Sequence, residues 1–253
     1  MTTAAAQVPK PVARRFAWWN PRRWLTTKEL GALVVLALLA GGLWGFIRLA
    51  QYVETGEVSQ LDRRLVLALR NPADPADPIG PLWLEEMMRD FTALGGFAVV
   101  GSLSAAAIVY LVLIGKRGTA LMACVAVGGA LAASLVLKDF FDRPRPELVP
   151  HGSYVYTRSF PSGHSMLSTA VYLTLGAILA QVQRRRLLKL YLVVLALGTA
   201  ALVGASRVYL GVHWPSDVVA GWAAGSVWAL AVWGATHLLQ RTGSIEPEPK
   251  PTA

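Results

Sequence analysis

GTALMACVAVGGALAASLVL, residues 118–137, runs for twenty residues without a charged side chain and stops at Lys138. As a helix it is long enough to cross a hydrocarbon core of about 30 Å. Working outward, five further windows have the same character: 29–50 and 92–114 before it, and 165–182, 187–206 and 217–240 after it. All are dominated by Leu, Val, Ala and Gly. The expected architecture is therefore all-α, a polytopic membrane protein with six transmembrane helices in one domain over residues 29–240. The first window follows a polar leader of nearly thirty residues and has no small-residue cleavage site, so it reads as an uncleaved span rather than a secretory signal. Residues 51–91 carry eight acidic side chains and an Asn-Pro-Ala-Asp-Pro-Ala-Asp-Pro stretch. Prolines at that density forbid a continuous helix, so an outer loop with short helices is expected there.

Apolar residues make up 54% of the chain and charged residues 15%, which favours the membrane class over a soluble one. The net charge of +9 does not point to nucleic acid, because the basic residues fall in short clusters between apolar runs. They read as topology signals. Segment 1–28, the loops around Lys116 and Arg185, and a disordered tail over 241–253 are assigned to the cytoplasm by their Lys and Arg content. Lys138, Arg143, Arg145, Arg158 and Arg207 then fall on the outer side, where that rule disfavours them, so something other than topology keeps them there. The single cysteine, Cys124, lies inside an apolar run and excludes an intramolecular disulfide.

Three segments at span ends carry chemistry: Lys138-Asp-Phe-Phe-Asp-Arg-Pro-Arg145-Pro146, Pro161-Ser162-Gly163-His164, and Ser206-Arg207 followed by His213 and Asp217. Each alone has an ordinary reading: a snorkelling lysine, a turn with an N-cap, a polar pair at a helix start. Together they make a unit. Lys138, Arg145 and Arg207 are three cations expected at one membrane depth, an unfavourable grouping unless a highly charged anion lies between them. Arg forks and a Lys point charge suit a tetrahedral phosphate. Ser162, Gly163 and His164 add free backbone N–H groups at a helix start, and Gly163 permits close approach. His213 precedes Trp214-Pro215, which places Asp217 in the first turn of the last span, within reach of the imidazole. A carboxylate there fixes the tautomer of a nucleophilic histidine and stabilises its cation. His164, from another helix start, is the candidate general acid and later the base for water.

These segments resemble the signature of the type-2 phosphatidic acid phosphatase superfamily: Lys, six residues, Arg-Pro; Pro-Ser-Gly-His; Ser-Arg, five residues, His, three residues, Asp. Every position is matched over residues 138–217. The resemblance implies phosphate binding by Lys138, Arg145, Ser162, Gly163 and Arg207, acid catalysis by His164, and attack by His213 supported by Asp217. It also implies a six-helix, metal-independent lipid phosphatase in a membrane, with no cofactor. The expected substrate is a lipid phosphate or diphosphate: an isoprenoid diphosphate such as undecaprenyl diphosphate, phosphatidate, or phosphatidylglycerol phosphate. A bacterial inner membrane, with the active site on its outer face, is the expected location.

Two rival functions use the same residues: phosphotransfer from His213 to an acceptor hydroxyl, and a non-catalytic lipid-binding or transport protein. The soluble haloperoxidases that share the signature fit poorly, since this chain is mostly span. Asp139, Asp142 and Glu147 are expected to orient the cations rather than to hold a metal, and no ligand spacing resembles a zinc or di-metal pattern. Trp18, Trp19 and Trp24 are expected in an interfacial belt, and Trp222, Trp228 and Trp233 facing lipid. Gly41-Gly42 and Gly128-Gly129 read as close-packing surfaces. His151 and His237 belong to no constellation.

Overall fold

A computed structural model describes residues 27–151, 157–181, 183 and 185–247. Trp18, Trp19 and Trp24 lie outside these residues. The elements in chain order are α1 (Thr27–Glu54), α2 (Ser59–Leu67), β1 (Arg70–Asn71), β2 (Asp74–Pro78), α3 (Leu82–Ala93), α4 (Phe97–Leu113), α5 (Arg117–Phe141), α6 (Gly163–Gln181), α7 (Arg186–Tyr209) and α8 (Pro215–Arg241). The chain divides after Val34 into a short N-terminal unit, which contains the first turns of α1, and the unit Val35–Ala253, which contains every other element.

Five helices, α1, α5, α6, α7 and α8, are long and apolar enough to span a membrane. The sixth span is broken: α3 and α4 pass together but meet at a 45° bend. The window 92–114 thus straddles the bend. The backbone N–H groups of Gly95 and Gly96 turn back onto Thr92 and Ala93 carbonyls, each at 3.0 Å, and end α3 before α4 begins. Large apolar side chains point outward along the spans, Leu113 at 79% and Leu187 at 75% exposure. Such faces suit lipid as the surrounding solvent and identify an integral membrane protein.

The Pro-rich segment after α2 forms a short antiparallel hairpin, β1 with β2, a local departure from an all-helical chain. Asn71 and Asp74 accept the N–H groups of Ala73 and Ala76 at 3.1 and 2.9 Å, turns that short acidic and amide side chains make readily. At the other end, α8 is followed by a turn in which Glu246 accepts the N–H groups of Gly118 and Thr119 at 2.7 and 3.1 Å. Residues 242–247 therefore cap the start of α5, where the sequence suggested a disordered tail; residues 248–253 lie outside the described range.

Helix α6 packs against α5, α7 and α8. Small residues permit this: a Cβ added at Gly225 would lie 2.8 Å from Thr169 Cβ, and one at Gly176 would lie 3.2 Å from Ala196 Cβ. Trp222 and Trp228 do not simply face lipid. Their indole N–H groups donate across helices to Ala200 O at 3.0 Å and Ala126 O at 2.8 Å, so both half-buried indoles have their donors satisfied. Gly129 lies beneath the Trp228 ring as a close-packing glycine, whereas a Cβ added at Gly128 would meet open space; likewise Gly42 abuts Val227 and Gly41 is open.

Candidate active site

Antiparallel connection of α5 to α8 brings four helix ends together. Lys138 falls in the last turn of α5, which Asp142 terminates in the left-handed region at φ 45°. Gly163 and His164 open α6, Arg207 lies in the last turn of α7, and Trp214 caps α8 with Asp217 at its third position. The Trp214 N–H donates to Asp217 Oδ2 at 2.9 Å, so the carboxylate that faces His213 also closes the helix start.

A cavity of about 280 Å³ collects Lys138, Arg145, Gly163, His164, Arg207 and His213 on its wall. Ser162 and Asp217 do not line it. Asp217 stands behind His213, and Ser162 is committed elsewhere: its N–H donates to Asp217 O at 2.9 Å and its hydroxyl accepts from Ser165 at 2.9 Å. The N–H groups of Gly163 and His164 have no acceptor among the described residues and remain open to an anion. Leu131, Leu135, Leu167 and Phe97 form an apolar flank of the same cavity.

Each cation is held from behind. Lys138, 6% exposed, donates to Thr157 Oγ1 and Arg158 O, both at 2.8 Å. Arg145 donates to Thr157 O at 2.8 Å and Val212 O at 2.7 Å, and Arg207 donates to Thr92 Oγ1 at 2.6 Å. The Arg207 Nε has no partner among the described residues. Among the described residues no carboxylate lines the cavity, so positive charge concentrates there.

His213 is 1% exposed. Its Nδ1 faces Asp217 Oδ2 at 3.3 Å, which leaves Nε2 turned to Arg145 Nη1 at 3.1 Å. With Nδ1–H directed to the carboxylate, the Nε2 lone pair is the one presented to the cavity. Burial, reinforced by Arg145, Arg207 and Lys138, pushes His213 well below the ordinary histidine value and keeps its imidazole neutral at physiological pH. A neutral imidazole among cations can attack phosphorus, and a dianionic ligand would offset the charge around it.

Residues 119–241 match the PAP2 superfamily. Over 211 residues, 78% of this chain and 93% of the relative, the sequence is 31% identical to phosphatidylglycerophosphatase B of Bacillus subtilis (strain 168). The chain belongs to the PAP2 superfamily. A solved transmembrane PAP2-type phosphatidylglycerolphosphate phosphatase from Bacillus subtilis has the same fold, with a TM-score of 0.71 at 28% identity over 80% of this chain and 98% of that one. A shorter stretch of 68 residues, 27% of this chain and 29% of the relative, is 40% identical to an undecaprenyl-diphosphatase of Sulfolobus acidocaldarius.

Among the described residues no carboxylate forms an ion pair with the motif cations Lys138, Arg145 and Arg207. Asp142 pairs with Arg158 at the surface, and Asp139 and Glu147 form no ion pair among the described residues. Asp62 and Asp217 engage Arg143, a neighbouring cation outside the motif positions, at 2.8 and 2.5 Å. Ser159, whose hydroxyl donates to Asp217, and Thr92 and Thr157 behind the cations also lay outside the sequence reading. Only Arg143 carried a signal, as a cation on the disfavoured side of the membrane. Among the described residues no three His, Cys, Asp or Glu side chains gather into a metal-holding group.

Proposed function

We propose that this PAP2 chain hydrolyses a lipid phosphate or diphosphate through a phosphohistidine on His213. The observation that carries the reading is the placement of His213: backed by Asp217 at Nδ1, and open at Nε2 to a cavity walled by Lys138, Arg145 and Arg207. The phosphate binds to these cations and to the free N–H groups of Gly163 and His164, and draws Arg145 off the Nε2 lone pair. Nε2 attacks phosphorus, the P–O bond to the leaving group breaks, and His164, which takes up a proton with the phosphate as that anion offsets the surrounding cations, gives it to the departing oxygen. Positive charge on the His213 ring is balanced by Asp217. His164 then takes a proton from water, whose oxygen displaces His213 and releases phosphate. Protein cations neutralise the charge that develops on the phosphoryl oxygens.

The substrate is a lipid. Catalytic groups at span ends meet a head group at the interface, and the Leu131, Leu135 and Leu167 flank accepts the first part of a chain. Glycerophospholipid phosphates and isoprenoid diphosphates rank equally, each being named for one relative. The cavity opens on the outer face of a bacterial inner membrane, and residues 29–240 form the enzyme domain. Purified protein offered a panel of lipid phosphates and diphosphates releases inorganic phosphate from at least one, at a kcat/KM well above that for glycerol phosphate. Equal rates on glycerol phosphate and every lipid would refute the lipid assignment, and label passing to an acceptor lipid without phosphate release would make the protein a phosphotransferase.

A further inference from the structure

Asp62 lies outside all three motifs, on α2. It is only 2% exposed, and both of its oxygens are engaged. Oδ1 accepts the Ser216 backbone N–H at 2.9 Å; Oδ2 accepts the Ser216 hydroxyl at 2.5 Å and Arg143 Nη2 at 2.8 Å. Arg143 turns Nη1 to the Ser216 hydroxyl at 2.8 Å and to Asp217 Oδ1 at 2.5 Å. Its guanidinium also lies over the Trp214 ring, 5.6 Å from the centroid. Two buried carboxylates thus share one guanidinium, and one of them is the group behind His213.

We infer that Asp62 is a positioning residue for the phosphatase reaction: through Arg143 it fixes Asp217 so that Oδ2 faces His213. This rests on the roles given above to His213 and Asp217. The geometry divides the Asp217 carboxylate cleanly. Oδ1 is held by Arg143, while Oδ2 receives the Ser159 hydroxyl, the Trp214 N–H and the His213 ring. Without Asp62, Arg143 would lose its second carboxylate and could follow Asp217 or swing from it. Its undivided charge would also fall on Asp217 and weaken the attraction between that carboxylate and the His213 cation formed on attack. The planar fork of arginine suits the bridge, because it reaches two carboxylates at fixed spacing. Asp62 also accepts the Ser216 N–H in the first turn of α8, so its loss lowers stability as the loss of any cap does. A cap alone, however, leaves the chemical step untouched.

A double-mutant cycle in purified full-length protein separates the two roles. Asp62→Asn, Asp217→Asn and the double variant are compared with wild type for kcat and KM on a lipid phosphate, with phosphate release as the readout. Asp62→Asn should lower kcat by roughly 10–100-fold, the size of one lost charge-assisted hydrogen bond, while KM changes by less than about threefold. In the Asp217→Asn background it should lower kcat no further. The same fractional loss of kcat in both backgrounds, or wild-type kcat in Asp62→Asn, overturns the inference. Wild-type kcat in Asp217→Asn is a different result, which removes the role of Asp217 itself and the inference with it. If Asp62→Asn does not fold, Arg143→Lys takes its place with the same expectations, since lysine keeps the charge but cannot bridge both carboxylates.

Discussion

Replacing Gly163 by alanine should separate stability from activity. Gly163 does not occupy the left-handed region, so alanine takes the same backbone, and the reduced freedom of the unfolded chain contributes about 0.4–1 kcal/mol of stability, from which the crowding of Lys138 subtracts. For a chain of this size that is about 1–4 °C in Tm. The added carbon would lie 3.2 Å from Lys138 Cε, 3.2 Å from Ser134 Oγ and 3.7 Å from Lys138 Nζ. Carbon contacts relax at about 3.5–4.0 Å, so the lysine must retreat by a few tenths of an ångström. Its ammonium is tied to Thr157 and Arg158 at 2.8 Å and cannot retreat without losing its aim. A misplacement of about 1 Å costs on the order of 10²-fold in rate, so a third to a half of that gives roughly a tenfold loss in kcat/KM. Gly128→Ala is the control, since a Cβ added there would meet no atom of another part of the chain within 4 Å; it should gain about that stability at unchanged activity. The assay is phosphate release from a lipid phosphate beside thermal unfolding in detergent. A Gly163→Ala protein with wild-type kcat/KM would refute the reasoning.

Arg207→Lys should reduce kcat/KM by about 10-fold or more, because the charge remains but the fork that can grip two phosphate oxygens is lost; unchanged kinetics would remove Arg207 from the phosphate site. Activity should survive chelators and be blocked by vanadate, since protein cations supply the charge; a strict magnesium requirement would point to another mechanism. In a Cys124→Ser background, Pro150→Cys should react with an impermeant thiol reagent from outside intact cells and Ser244→Cys only after the membrane is opened. The reverse pattern would invert the assigned orientation.

What the sequence made legible was what periodicity and motif spacing encode. The bounds of α5 to α8 differ from the apolar windows by only a few residues at each end, since a membrane-crossing helix must stay apolar for its whole length. The cavity residues Lys138, Arg145, His164, Arg207 and His213 meet because their motifs sit at helix ends that antiparallel spans bring together. The break between α3 and α4 was hidden, because Gly95-Gly96 is compatible with a continuous apolar run and only tertiary packing decides where it bends. Asp62 was hidden for another reason. It is one acidic residue among eight in residues 51–91, and its burial on Arg143 is a contact across 81 positions that no local pattern announces. The cross-helix hydrogen bonds of Trp222 and Trp228 were hidden because a tryptophan in a span has the same sequence signature whether or not its N–H donates to a neighbouring helix.

The central claim is a covalent phosphorus–nitrogen bond at His213. Rapid alkaline quenching of the purified protein during turnover of a phosphate-labelled lipid tests it most directly, because a phosphohistidine survives alkali and can be located by peptide mapping. The account predicts label on the peptide that contains His213, none in the His213→Ala protein, and loss of turnover in that variant. Label retained by His213→Ala, or turnover by wild type with no trapped phosphoenzyme on that peptide, would contradict it.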